Sequence, residues 1–219
     1  MANTLQDPNV STVLDRMYAE SSKQMSLLRE RGSQFARPMT TQERTEAMSE
    51  FYIPVTPEAG RLLYSLVRAT RPATVVEFGM SFGISAVHLA AAVRDNGTGR
   101  VVTTELSDAK ITAAKKTFAE TGLDDVITIL EGDALETLKT LDAPVDFVLM
   151  DGWKDLYLPV FDLLEPRLHA GSLIVADNTS ADDTQPYLER VRNPDNGYVS
   201  FNFLVRDSDS MEISCRTGD

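Results

Sequence analysis

The pattern of hydrophobic and polar positions divides the chain into two parts near residue 50. Before that point the sequence is polar, and its apolar residues recur at helical spacing on one face, as at Val10, Val13, Leu14, Met17 and Tyr18. This pattern predicts an N-terminal helical extension over residues 1–50. We expect the extension to be a lid or an oligomer contact, or a helix that simply packs on the core.

From residue 51 to residue 219 the pattern changes to short apolar, β-branched runs that alternate with helical segments. The runs that predict strands cover 73–78, 99–105, 126–130, 145–150 and 172–176, and the predicted helices cover 84–93, 108–120 and 157–168. Such alternation is typical of an α/β domain with a mainly parallel sheet and helices on both faces. Two further runs, 198–205 and 211–216, flank a polar turn and predict an antiparallel C-terminal hairpin.

Composition fits a folded protein with one main domain over residues 51–219. The 219 residues are 42% hydrophobic and 25% charged, which is ordinary for a globular chain. The 33 acidic and 21 basic residues give a net charge of −12, which argues against nucleic acid or an anionic membrane as a partner. The single cysteine, Cys215, excludes an intrachain disulfide. With no visible signal peptide or membrane span, we expect a cytoplasmic protein.

A glycine-containing turn follows the first predicted strand, with the sequence Glu77-Phe78-Gly79-Met80-Ser81-Phe82-Gly83. Glycines in such a turn let the backbone approach a ligand, and the helix that follows offers free N–H groups. Ser81 stands where dinucleotide-binding loops have the middle glycine that admits a pyrophosphate. The turn therefore disfavours NAD or FAD, although a nucleotide-binding oxidoreductase stays open as an alternative function.

Acidic residues mark three strands of this region. Glu105 ends the second strand, where it can accept hydrogen bonds from a ribose diol, and Asp133 follows the third strand, within reach of an adenine edge. Glu77, in the first strand, could hold a cationic group such as an amine. Each acid alone could be a surface residue. Together with the glycine turn they predict a ligand with ribose, adenine and an amino acid but no phosphate, which is S-adenosylmethionine.

Oxygen-bearing side chains also follow the next two strands. Asp151 follows the fourth strand, and Asp177 and Asn178 follow the fifth. Since the carboxyl ends of parallel strands meet at one edge, we expect these residues to bind a hard divalent cation such as Mg²⁺. Mg²⁺ favours about six ligands, so about three places remain. Two vicinal substrate oxygens and one water would fill them, which points to a diol, most simply a catechol.

Lys154 stands close to Asp151 in the sequence. A hydroxyl must lose its proton to be a good methyl acceptor, and a lysine near a bound cation has its ammonium form disfavoured. We therefore predict that Lys154 is the catalytic base, acting beside Asp151. The alternative is a surface lysine, which is what most lysines are.

The run Asp151-Gly152-Trp153-Lys154-Asp155-Leu156-Tyr157-Leu158-Pro159, followed by Ala176-Asp177-Asn178, resembles the cation-dependent catechol O-methyltransferase family. The resemblance extends to the glycine turn, to the acid-tipped second strand and to Val55-Thr56-Pro57-Glu58-Ala59-Gly60. It covers residues 53–178. The tryptophan–lysine run and the Asp-Asn pair are specific, whereas the glycine turn is generic for S-adenosylmethionine-dependent methyltransferases.

This resemblance implies a Rossmann-like, seven-stranded sheet and an enzyme that moves a methyl group from S-adenosylmethionine to a hydroxyl of a catechol-like or other vicinal-diol aromatic small molecule. It implies that Asp151, Asp177 and Asn178 bind Mg²⁺ and that Lys154 is the catalytic base. It implies cofactor contacts from Val55, Glu77, Gly79, Ser85, Glu105, Asp133, Ala134, Asp151 and Trp153. Bacterial-type relatives are often dimers, so a homodimer is a further expectation.

Two departures from the family pattern leave the acceptor open. Gly152 stands where the animal enzymes carry a histidine, and the segment 201–204 lacks an acid where those enzymes hold the second catechol hydroxyl with a glutamate. A methyltransferase that acts on a non-catechol hydroxyl is therefore a second alternative.

Overall fold

The computed structural model describes residues 3–31, 39–206 and 209–218. Within these ranges one seven-stranded sheet has the order β3-β2-β1-β4-β5-β7-β6. Its strands are β1 Thr74–Phe78, β2 Arg100–Glu105, β3 Ile127–Glu131, β4 Val145–Met150, β5 Leu168–Ala176, β6 Tyr198–Arg206 and β7 Asp209–Arg216. Strands β1 to β5 are parallel, and β7 runs antiparallel to both β5 and β6. The Rossmann-like sheet with an antiparallel C-terminal hairpin is confirmed, although the turn at 207–208 lies outside the described residues.

Helices cover both faces of this sheet. They are α1 Pro8–Arg31, α2 Thr41–Ala47, α3 Pro57–Thr70, α4 Ile84–Asn96, α5 Asp108–Thr121, α6 Ala134–Thr137, α7 Tyr157–Leu164 and α8 Gln185–Arg192. One hydrophobic cluster includes Met17, Leu63 and Leu89 from α1, α3 and α4. A second cluster includes Phe161 and Val191 from α7 and α8. Because β1 and β4 contribute to both clusters, their sequences are almost continuously apolar.

The segment before β5 differs most from its sequence prediction. The helix predicted over 157–168 ends at Leu164, because Pro166 in the following turn has no N–H to continue the helical hydrogen bonds. Strand β5 then begins at Leu168, and its register with β4 shifts between Val145 and Phe147. Beyond this irregularity the two strands stay in register to their carboxyl ends, which is where the predicted cation ligands follow.

The first helix of the N-terminal extension packs on the core. Val10, Val13 and Met17 are buried, as their helical spacing predicts. Tyr18 Oη lies 3.3 Å from Nε2 of His88 in α4, so a polar contact accompanies the apolar one. No helix of the described ranges combines the length and the apolar character that crossing a bilayer requires.

Candidate active site

A cavity lies at the carboxyl ends of β1, β2 and β4, where an open parallel sheet places its ligand sites. Loops after these strands form one side, and residues of the segment 41–54 form another. The predicted site residues that line it are Gly79, Ser85, Glu105, Asp133, Ala134, Asp151, Trp153, Lys154 and Asn178. The other predicted residues, Val55, Glu77 and Asp177, are buried at 1%, 0% and 3% exposure and do not line the cavity.

The turn after β1 depends on backbone angles that favour glycine. Gly79 has φ +99° and Gly83 has φ +93°, and Ser81 between them is also left-handed at φ +52°. A Cβ on Gly79 would lie 2.6 Å from the Cα of Gly152 in the loop after β4. Glycine at position 79 therefore allows the ends of β1 and β4 to touch, which brings the predicted cofactor turn next to the predicted cation ligands.

Glu105 ties this turn to β2. Its Oε2 accepts a hydrogen bond from the backbone N–H of Ser81 at 2.8 Å, and its Oε1 accepts from those of Leu106 and Ser107, both at 2.9 Å. The carboxylate is thus fixed by backbone donors. A carboxylate can accept about four hydrogen bonds, so Glu105 can still accept one from a ribose hydroxyl.

Glu77 is fully buried at the end of β1. The hydroxyl of Thr103 donates to its Oε2, while its Oε1 has no hydrogen-bond partner among the described residues. Burial raises the pKa of Glu77 from 4.5 to about 7, with the hydroxyls of Ser85 and Thr103 opposing the rise and the charge of Glu105 adding to it. A buried acceptor without a donor fits the predicted cationic amine, which would supply a donor and a compensating charge.

Asp133 and Ala134 form the turn that begins α6. The Asp133 side chain caps this helix by accepting from the N–H of Leu135 at 2.9 Å. The N–H of Gly132 donates to the carbonyl oxygen of Glu105 at 2.8 Å. The predicted adenine-binding turn is therefore anchored by backbone hydrogen bonding beside the predicted ribose-binding residue.

The ends of β4 and β5 bring two predicted cation ligands together. Met150 pairs in register with Ala176, and the N–H of Asp177 donates to the carbonyl oxygen of Met150 at 3.0 Å. Asp151 and Asp177, the next residue of each strand, consequently share one edge of the sheet. Burial raises the pKa of Asp151 well above its ordinary range, with the charge of Lys154 opposing the rise and that of Asp177 adding to it.

Asn178 completes the predicted set in a left-handed conformation, φ +55°, which asparagine tolerates. Its Nδ2 donates to Oδ2 of Asp209 at 2.6 Å. The amide is thereby fixed, and its carbonyl oxygen is the atom that would bind the predicted cation. Two carboxylates and an amide oxygen are hard donors that suit a divalent cation such as Mg²⁺. In the described ranges no group of three or more His, Cys, Asp or Glu side chains is arranged to hold a metal ion, and the present set has two carboxylates and one amide.

Lys154 lies between Asp151 and a buried tyrosine. Its Nζ is 3.4 Å from Oδ1 of Asp151 and donates to Oη of Tyr157 at 3.0 Å. The Tyr157 hydroxyl in turn donates to the carbonyl oxygens of Met150 and Asp177, at 2.7 and 2.8 Å. Tyr157 thus joins the ends of β4 and β5 and fixes the position of the predicted base.

Trp153 links the site to the N-terminal extension. Its Nε1 donates to Oγ1 of Thr45 in α2 at 3.2 Å, and the guanidinium of Arg44 lies 4.8 Å from its ring centroid. Arg44 also donates to Oδ2 of Asp155 at 2.7 Å. These contacts hold α2 against the loop after β4, where it supplies part of the cavity wall.

The packing around Gly152 explains the missing side chain at this position. A Cβ here would lie 2.4 Å from the ring of Phe78. That ring packs edge-on against Tyr157, with 6.3 Å between the ring centroids. In this chain Phe78 fills the space into which a side chain at position 152 would extend.

Two residues of the site have no role in the sequence prediction. Tyr157 belongs to the specific run, and its spacing of one helical turn from Lys154 could have indicated the contact. Asp209 contacts Asn178 across 31 residues of sequence. No local pattern points to such a contact, because the antiparallel pairing of β7 with β5 brings the two residues together.

Comparisons with known proteins indicate a methyltransferase. A family model described as a methyltransferase domain matches residues 76–179, the range from β1 to the predicted cation ligands. A probable O-methyltransferase of Mycobacterium tuberculosis is 33% identical over 146 residues, which cover 62% of this chain and 61% of the relative. The catechol O-methyltransferase of Sus scrofa is 30% identical over 140 residues, which cover 61% of this chain and 74% of the relative.

A solved structure shows the same fold. The crystal structure of an O-methyltransferase from Streptomyces achromogenes in complex with S-adenosylmethionine has a TM-score of 0.69 at 22% identity, over 91% of this chain and 99% of that one. Among the curated relatives, three are matched over 56% to 64% of their own lengths. These matches favour a methyltransferase over the nucleotide-binding oxidoreductase. The chain belongs to the S-adenosylmethionine-dependent O-methyltransferase family that includes catechol O-methyltransferase.

Proposed function

We propose that the protein transfers the methyl group of S-adenosylmethionine to one hydroxyl of a vicinal-diol aromatic small molecule such as a catechol, in a reaction that depends on a divalent cation. The observation that carries this proposal is the meeting of Asp151, Lys154, Asp177 and Asn178 beside the glycine turn. A methyl donor on the turn and a hydroxyl at the acids would face each other across one cavity.

The donor set supports the cation. The carboxylate of Asp177 is buried and that of Asp151 is 11% accessible, and the charge of Asp177 adds to the raised pKa of Asp151. Asn178 offers a neutral oxygen, and its amide is fixed by Asp209. These three side chains would hold the cation. When bound, it would stabilise the deprotonated hydroxyl.

The chain's own residues would position the reaction and move its proton. The lone pair of the acceptor hydroxyl forms the new O–CH₃ bond, and the pair of the broken C–S bond stays on sulfur. The hydroxyl proton goes to Nζ of Lys154, which Tyr157 holds in place at 3.0 Å. Lys154 is partly exposed, with 22% of its side-chain surface accessible, so the proton can leave to solvent.

Apolar residues that line the cavity support a planar, apolar acceptor. Met48, Ile53, Trp153 and Leu156 line the cavity, and such side chains favour an aromatic ring over a sugar or a peptide. The segment 201–204 carries no acid that could receive the second hydroxyl. The second hydroxyl of a diol would therefore rely on the cation, and an acceptor with one hydroxyl would bind less well.

We also propose that helices α1 and α2 of the N-terminal extension have separate roles, α1 in anchoring the extension and α2 in covering the site. Helix α1 anchors the extension to the core through its buried apolar face. Helix α2 is hydrogen-bonded to Trp153 and closes the side of the cavity that would receive the acceptor. A homodimer remains a prediction, which sedimentation equilibrium would check.

An acceptor panel tests the proposed function. The protein is incubated with S-adenosylmethionine, Mg²⁺ and either catechol, 3,4-dihydroxybenzoate or 4-hydroxybenzoate, and the products are identified by mass spectrometry. We expect one added methyl group on both diols and little product from the single hydroxyl. Equal methylation of 4-hydroxybenzoate would favour the non-catechol alternative, and no methylation of any acceptor would contradict the proposal.

A further inference from the structure

Lys110 is a buried lysine in the cavity wall. It is only 5% exposed and lies in the first turn of α5, where it lines the cavity together with Glu105 and Phe82. Lysines are almost never this buried unless they are paired. In the described part of the chain the Nζ of Lys110 has no hydrogen bond and no ion pair. It lies over the ring of Phe82, 5.6 Å from the centroid.

The position of Lys110 lowers the stability of the folded protein in two ways. Burial lowers the pKa of the Lys110 ammonium, and the charge of Glu105 only partly opposes that effect. The first turn of a helix also carries a partial positive charge, which disfavours a cation there. An apolar side chain of the same length would avoid both effects. A charged group kept in such a position indicates a role toward a ligand.

We propose that Lys110 is a nucleoside-binding residue that donates a hydrogen bond to a ribose hydroxyl oxygen of the ligand, next to the acceptor Glu105. This inference rests on the proposed function for the identity of the ligand. A ribose hydroxyl is both a donor and an acceptor. Glu105 keeps acceptor capacity beyond its three backbone donors, and Lys110 offers donors and no acceptor, so the two side chains complement a ribose from the same wall.

Calorimetric binding of two ligands tests this role. S-adenosylhomocysteine contains the nucleoside and the amino acid, whereas 5′-methylthioadenosine contains the nucleoside without the amino acid. Because a hydrogen bond from a charged group is lost, Lys110→Met is expected to weaken both ligands by the same factor, about tenfold or more. Glu77→Gln is expected to weaken S-adenosylhomocysteine alone.

The matched control is Lys115→Met on the same helix. Lys115 is exposed and pairs with Glu131 at 2.6 Å, so its loss should leave both affinities unchanged. Thermal unfolding without ligand separates binding from structure. Because Lys110→Met removes an unpaired buried charge, its unfolding midpoint should equal or exceed that of the wild type.

The outcomes separate the two proposals. Wild-type affinity of Lys110→Met for both ligands would overturn the role of Lys110, and so would a loss of binding that comes with a lower unfolding midpoint. Wild-type binding of both ligands without methylation of any diol would overturn the proposed function and leave Lys110 as a nucleoside-binding residue. A wild-type protein that binds neither ligand would overturn both.

Discussion

The two halves of the cavity hold their acidic residues in different ways. In the cofactor half, at the ends of β1, β2 and β3, Glu105 accepts three backbone N–H groups and Asp133 caps α6. In the cation half, at the ends of β4 and β5, Asp151 and Asp177 face each other, and Lys154 lies 3.4 Å from Asp151.

Except at Glu77, whose Oε1 has no donor among the described residues, the folded chain itself satisfies the acids of the cofactor half, whereas it does so only in part in the cation half. Backbone donors compensate the charges of Glu105 and Asp133 whether or not a ligand is present. The paired carboxylates of the cation half are compensated only in part by one lysine. Changes in the cation half should therefore affect turnover, while changes in the cofactor half should affect ligand affinity and folding.

The largest expected effect comes from the base. Lys154→Ala removes the proton acceptor and should lower kcat by about 10²- to 10⁴-fold, with the affinity for S-adenosylhomocysteine unchanged. Steady-state kinetics and calorimetry measure the two quantities. Lys139→Ala, which removes an exposed lysine paired with Glu136, is the control. Full activity of Lys154→Ala at neutral pH would refute the role of the base.

The second largest effect is expected at the packing contact between the two halves, where Gly152 meets Phe78. In Gly152→Ala the new Cβ would lie 2.4 Å from the Phe78 ring, and overpacking of this kind lowers the free energy of unfolding by about 1–3 kcal/mol. Denaturant unfolding measures the loss. Phe78→Leu in the same chain should restore part of it, because the smaller side chain vacates the space. An unchanged unfolding midpoint for Gly152→Ala would show that the halves are not tightly packed at this point.

Much of the fold, and the places of the candidate cofactor residues at strand ends, could be predicted because local sequence patterns mark strands and the turns that follow them. The glycine turn, Glu105 and the Asp133 cap are local features of strand ends. The wall formed by α2 could not be predicted, since Arg44 and Asp155 are 111 residues apart and no periodicity links them. The early end of the helix at Leu164 is the reverse case, because Pro166 is a local signal that already marks this end in the sequence.

A smaller effect is expected in the cofactor half, where the affinity for the cofactor should change with pH. The pKa of Glu77 is about 7 in the folded protein against an ordinary 4.5, so the folded state holds this proton more tightly and Glu77 contributes less stability as pH rises from 4.5 through 7. A cationic amine favours the ionised carboxylate. The affinity for S-adenosylhomocysteine should therefore increase by up to about tenfold between roughly pH 6 and 8.

Two features of this titration can be checked by calorimetry. Binding near neutral pH should release a proton, which buffers of different ionisation enthalpy reveal. The charges that act on Glu77 are those of Glu105 and Asp151, and both remain in Glu77→Gln, so that variant should lose the pH dependence. A variant that keeps the full dependence would assign the titration to another group.

The smallest effect is expected in the part of the cavity wall that α2 forms. Arg44→Ala removes the contacts to Trp153 and Asp155, which are partly exposed and are together worth about 1–2 kcal/mol at most. The KM for the diol should rise severalfold with little change in the KM for S-adenosylmethionine. Arg61→Ala, which breaks an exposed pair with Glu58, is the control. Equal changes in both KM values would mean that α2 does not face the acceptor.

The rate of diol methylation as a function of free Mg²⁺ tests the central claim most directly. Wild type and Asp177→Asn are compared in chelator-buffered Mg²⁺, with the affinity for S-adenosylhomocysteine measured in the same solutions. The wild-type rate should fall to background with excess EDTA and return with Mg²⁺, and Asp177→Asn should require more Mg²⁺ while binding S-adenosylhomocysteine normally. A wild-type rate that EDTA does not change would contradict the account.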